Sequence, residues 1–195
     1  MKNWFRYFAR TITYPRITAY SMLGEKNAVG LGLLYTVGFS FLNSLTSLLL
    51  YWRGNLPQGA LLPIPPERWY LYQAFYTTPV GFVSIALLAV IAYGLSRRIG
   101  GSGRWQDSWM LLSLASTLPW VFFTWIPETA FALAGRPFPW GGTIEIFRQI
   151  IPALWQIVLG VILLQAAQRI ACWKSLVCIL LGTLPFVALF AFFIC

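Results

Sequence analysis

The chain has no histidine, and its five acidic residues include a single aspartate, Asp107. Without an imidazole, His-based metal sites and histidine activation of a serine or cysteine nucleophile are excluded. No carboxylate falls near the middle of a long apolar run, so the acidic relay of proton-coupled transporters is missing. Disulfides are equally unsupported, because Cys172, Cys178 and Cys195 form no framework of paired spacings. Cys178 and Cys195 stand about 26 Å apart along one helix, so reduced thiols are expected. Charge itself is scarce, at 10% of residues against about a quarter in soluble domains. These shortages point to a non-enzyme with no catalytic residue, metal or cofactor.

What is abundant is apolar: 58% of the 195 residues are hydrophobic. Uncharged sequence runs from Trp69 to Ser96 and from Ser108 to Pro127, each long enough to cross about 30 Å of hydrocarbon as a helix. The expected fold is all-α, an integral membrane bundle of five transmembrane helices over a single domain, residues 1–195. The spans are expected at about 28–51, 79–97, 106–126, 149–168 and 174–194. Residues 1–26 form an interfacial segment. Within it Lys2, Arg6 and Arg10 recur every four residues opposite Trp4, Phe5, Phe8 and Ile12, which reads as an amphipathic helix on the membrane surface, with a disordered basic tail as the alternative. No cleavable signal peptide is expected, since arginines interrupt the N-terminal aromatics.

Between the first two spans, Pro57, Pro63, Pro65 and Pro66 predict an extended connection. An aromatic belt follows at Trp69, Tyr70, Tyr72, Phe75 and Tyr76. Pro119 removes a backbone hydrogen bond inside the third span and predicts a kink. Beyond it, the short apolar piece Glu128 to Ala134, closed by Gly135, reads as a separate interfacial or re-entrant helix.

Basic residues set the orientation. With the N-terminus inside, Lys2, Arg6, Arg10, Arg16, Lys26, Arg97, Arg98, Arg104, Arg169 and Lys174 are cytoplasmic, leaving Arg53, Arg68, Arg136 and Arg148 outside. Retention of arginine and lysine on the cytoplasmic side favours this N-inside arrangement, with Cys195 outside, in a multi-pass protein of the cell membrane.

The order of features has a counterpart. A basic N-terminal segment with Pro15, a second span opening near Pro79, the run Arg98-Ile99-Gly100-Gly101-Ser102-Gly103-Arg104-Trp105 and a third span reaching Leu118-Pro119-Trp120 together resemble the Yip family of Ypt- or Rab-interacting membrane proteins. The resemblance implies five spans, and in eukaryotic relatives an association with Rab GTPases and vesicle traffic. Those relatives carry a long soluble N-terminal region with an Asp-Leu-Tyr-Gly-Pro motif, which this sequence lacks. The chain is similar to a short prokaryotic-type member, whose biochemical role the resemblance does not supply.

Two sets of residues are site candidates. The hairpin Arg97, Arg98, Gly100, Gly101, Gly103 and Arg104 is either a tight turn whose glycines let two helices approach or a site where arginines hold lipid phosphate or a cytosolic partner. It is not a phosphate loop, because the lysine and serine or threonine of that motif are missing. The polar residues Asn43, Ser44, Ser113, Thr117 and Gln156 either join helices or line a small intramembrane cavity. Asp107 suits the first turn of the third span, complementing the helix dipole. Glu128 and Glu145 lie near Arg136 and Arg148 and read as interfacial ion pairs, such as Glu145 with Arg148, with a carboxylate pair for acid-base work as the alternative. Cys172, beside Trp173, is a candidate for acylation or an inert thiol.

The net charge of +9 therefore points to anionic lipid headgroups and not to nucleic acid, for which no aromatic-basic module is present. A protein partner and a homodimer through Ser40, Ser44 or glycine-rich helix faces complete the expected interactions. The leading functional expectation is a membrane-organising or partner-recruiting protein of Yip type; the alternative is a small transporter or channel for a polar or lipidic solute.

Overall fold

The computed structural model describes residues 4–57, 63–135 and 142–194, with the side chains of 142–146 and 190–194 outside that description. Arg136, Cys195, Lys2 and the Glu145 side chain, and with them the expected Glu145 pairing, lie outside the described residues. The described chain consists of helices and connections, with no strand.

Two short helices open it, α1 (Trp4–Thr13) and α2 (Pro15–Met22), followed by the long α3 (Ala28–Trp52). A single 3-10 turn at Pro66–Arg68 leads into α4 (Trp69–Arg98). Then come α5 (Trp105–Trp120), a π-helical turn at Val121–Trp125, α6 (Ile126–Leu133), α7 (Gly142–Gln168) and α8 (Cys172–Ile194). Five helices are long and apolar enough to cross a membrane, which makes the chain a multi-pass membrane protein. In hydrocarbon a spanning segment must satisfy its own backbone polar groups, and continuous helix does so. The prolines inside α4, α5, α7 and α8, Pro79, Pro119, Pro152 and Pro185, are carried without a break.

The helix of the second span starts at Trp69, so the helical lead-in expected ahead of Pro79 takes in the aromatic stretch. Its Trp69 and Tyr70 turn inward against Leu50 and Ala132, while Tyr72 and Phe75 stay exposed. In place of a separate interfacial or re-entrant piece after the third span, α5, the π turn and α6 form one apolar helix from Trp105 to Leu133. Pro119 cannot donate to the preceding turn, and the helix absorbs the mismatch as one wide turn at Val121–Trp125 instead of ending. At about 1.5 Å per residue it spans about 44 Å, enough to reach the headgroup zone, and it stops at Gly135 with φ +68°.

α5 is the axis of the bundle: every residue from Asp107 to Trp120 is buried. α3, α4 and α7 pack around it, and α8 lies against α4 and α7. One core joins α3, α5 and α7 through Leu31, Leu114, Leu118 and Leu163, and a second joins α4, α5, α7 and α8 through Leu88, Leu112, Leu164 and Ile179. α2 packs on α7, and α1 sends Tyr7 and Phe8 into the first core, where Phe8 faces Tyr35 and Phe122 at ring distances of 6.4 and 6.3 Å. Contacts between Gly24 and Asp107, and between Ser102 and Gln168, place the N-terminal helices, the arginine hairpin and the α7–α8 turn at one end. The other end joins Arg53 to the Leu133 carbonyl and Thr46 to Thr129.

Candidate functional site

At the hairpin end, α4 terminates at Gly100, whose φ of +98° suits a residue without a side chain. The Gly101 amide returns to the Ser96 carbonyl at 2.8 Å, and the Ser102 amide reaches across to the Gln168 carbonyl at 3.1 Å. Gly103 lies directly on α7, where any Cβ would collide with the Ala167 carbonyl. Gly100 thus serves the turn, and Gly101 and Gly103 serve close packing against neighbouring backbone and Gln168.

Gln168, the last residue of α7, is fully buried and holds this end together. Its Oε1 accepts from the Gly103 amide at 3.2 Å, and its Nε2 donates to Ser108 Oγ at 2.7 Å. One residue later the chain turns at Arg169 with φ +56°, a left-handed conformation uncommon outside glycine.

The hairpin cations divide into two groups. Arg104 is committed: its Nε and Nη2 both donate to the Asp107 carboxylate at 2.9 Å, and this partner raises the arginine pKa further. Asp107 also accepts from the Gly24 amide at 3.2 Å, so it clamps the α2–α3 link to the start of α5 as well as complementing a helix N-terminus. Arg97 donates to the Gly101 carbonyl at 2.8 Å, and Lys174 to the Ile99 carbonyl at 3.0 Å, tying α8 to the hairpin. The side chains of Arg98 and Arg169, by contrast, are exposed and make no hydrogen bond or ion pair with a described residue. Arg16 adds a longer contact, 3.4 Å to Gln165.

The intramembrane candidates are dispersed. Asn43 bonds the Phe39 carbonyl of its own helix at 3.3 Å, and Ser44 pairs with Thr78 of α4 at 3.0 Å. Thr117 donates to the Ser113 carbonyl at 2.7 Å and lies 3.4 Å from that of Tyr35. Gln156 accepts from Trp120 Nε1 at 2.7 Å and reaches Ser116 Oγ at 3.4 Å. Ser44 belongs to the α3–α4 interface, Ser113 and Thr117 to α3–α5, and Gln156 to α5–α7. Ser40, the other dimer candidate, is buried where α4 presents Gly81. Thr36, Ser84, Ser113 and Thr124 keep buried hydroxyls without a partner among the described residues.

Cys172 is exposed beside an exposed Trp173, and Cys178 is buried. No group of three or more potential metal ligands occurs among the described residues. Sequence reasoning missed Gln168, whose signal was a lone amide in the last turn of a span. It also missed the pair at the start of α3, where Tyr7 donates to Glu25 at 2.6 Å. Comparison of the chain with protein-family models, curated proteins and solved structures finds no match.

Proposed function

We propose that this chain is a non-enzymatic, Yip-type protein of the cell membrane, oriented N-inside, that organises membrane or recruits a cytosolic partner through its basic end. In this orientation α1 lies at the interface, and anionic headgroups collect at the hairpin. The observation that carries the reading is the division of labour among the cations. Arg97, Arg104 and Lys174 are spent on holding the α4–α5 and α7–α8 turns together, which leaves Arg98 and Arg169 exposed on a braced platform. Exposed cations near a bilayer attract anionic lipid by roughly 1 kcal/mol each.

Charge reversal tests it. The double variant Arg98→Glu, Arg169→Glu should fold normally and retain about tenfold less phosphatidylglycerol in native mass spectra, since two cations and their reversal remove more than 1.4 kcal/mol. Unchanged retention of both lipid and any co-purifying protein would defeat the proposal.

A second reading, a small transporter or channel for a polar or lipidic solute, is favoured by the wide turn in the innermost helix and by the hydroxyls of Thr36, Ser113 and Thr124, which are without a partner among the described residues. Flux into proteoliposomes distinguishes the two readings.

A further inference from the structure

We propose that the slot between α1 and the start of α3 binds a primary ammonium group, as carried by the headgroup of phosphatidylethanolamine. The slot is a cavity of about 260 Å³ with a polar end and an apolar wall. Glu25, Tyr7 and Asn27 form the polar end, and Leu31 and Leu34 continue along α3. From Asn27 to Leu34 the helix rises about 10 Å, so the wall leads from the bundle end into the span. Trp4, 39% exposed, and Leu34, 41% exposed, leave it open laterally. Such a shape suits an amphiphile with its head at Glu25 and the first part of a chain against the leucines.

The chemistry of the polar end selects a cation. Glu25 sits in a chain of net charge +9, yet its only side-chain partner among the described residues is the Tyr7 hydroxyl, 2.6 Å from Oε1. Oε2 accepts no hydrogen bond from a described residue. The Tyr7 bond raises the phenol pKa, because it favours the neutral donor, so the hydroxyl keeps its proton for Glu25. The Tyr7 and Trp4 rings line the same cavity, and an ammonium beside an aromatic face gains cation–π attraction. Exposed Lys26 follows Glu25 in the chain and offers a positive charge to the accompanying phosphate. Phosphatidylglycerol, which has no amine, lacks the group this arrangement selects.

The test titrates the purified full chain in detergent with phosphatidylethanolamine and phosphatidylglycerol of identical acyl chains, read by native mass spectrometry. The wild type should take up the ethanolamine lipid at lower concentration. Glu25→Gln keeps an acceptor for Tyr7 but removes the charge, and it should weaken that uptake by about tenfold, the scale of one charge-assisted hydrogen bond, with phosphatidylglycerol unaffected. Competition by millimolar free ethanolamine supports a soluble amine as the ligand, and absence of competition supports the lipid. Equal uptake of the two lipids by the wild type, or an unchanged preference in a monodisperse Glu25→Gln protein, overturns the proposal. Reversal at Arg98 and Arg169 should leave the preference intact, so this site and the basic platform fail separately.

Discussion

A glutamine buried in a membrane protein has to place both halves of its amide, since each unmade bond costs about 1–3 kcal/mol. Gln168 places them on the Gly103 amide and Ser108, while its carbonyl takes the Ser102 amide. That arrangement works only because Gly103 has no side chain to push the hairpin off the Ala167 carbonyl. Gly103→Ala should therefore lower the thermal midpoint in detergent, by several degrees for a loss of about 2 kcal/mol in a chain of this size. Gly94→Ala is the control: Gly94 is helical with open space around its Cβ direction. It should leave stability unchanged or raise it by up to about 1 kcal/mol through helix propensity. If both variants melt alike, the hairpin glycines are not packing residues. Asp107 shows the same economy: one side chain meets both Arg104 and the Gly24 amide, joining segments far apart in the chain.

At the scale of elements, the helix from Trp105 to Leu133 shows how a proline is accommodated at the centre of a bundle. A π turn is one extra residue held within an α-helix. At its last residue Trp125 donates to Thr46 at 3.1 Å, and beyond it Thr129 pairs with the same threonine at 2.9 Å, so the wide turn sets the register of the far end against α3. Deleting Phe123 from the π turn should let the helix regularise with little change in that register. Deleting Leu114, which lies before Pro119 in regular helix, rotates every following residue by about 100°. The expected result is a folded, monodisperse protein for the first deletion and an aggregated one for the second, judged by size-exclusion chromatography. Equal damage would mean that the π turn is not a removable insertion. The sequence carried Pro119 plainly, but whether the helix would break, bend or widen depended on α3 and α7 enclosing it.

For the whole molecule, the described ends of the bundle are unequal. The N-terminal helices, the hairpin and the α7–α8 turn share one end, along with Arg6, Arg10, Arg16, Lys26, Arg97, Arg98, Arg104, Arg169 and Lys174. Cys172 marks that end with an exposed thiol, whereas Cys178 is buried. In a Cys178→Ser, Cys195→Ser background, a membrane-impermeant maleimide should label Cys172 only after the cells are permeabilised. Labelling of intact cells would invert the orientation and place the basic platform outside.

The five long apolar helices and the helical class were legible in the sequence, because hydrocarbon demands long uncharged runs with internally bonded backbones, and both requirements are local. The polar residues were visible but their grouping was not. Ser44, Thr117 and Gln156 are all polar, yet helix rotation and neighbour choice assign them to three different interfaces, and Asn43 bonds within its own helix. The role of each arginine was hidden for the same reason: Arg98 and Arg104 look alike in a hairpin until Asp107 captures one of them. What composition and periodicity determined by themselves was a helical chain with five stretches long and apolar enough to cross a membrane. Only the tertiary structure decided which charges are spent on holding helices together and which are left facing outward, because that depends on contacts between residues distant in the chain.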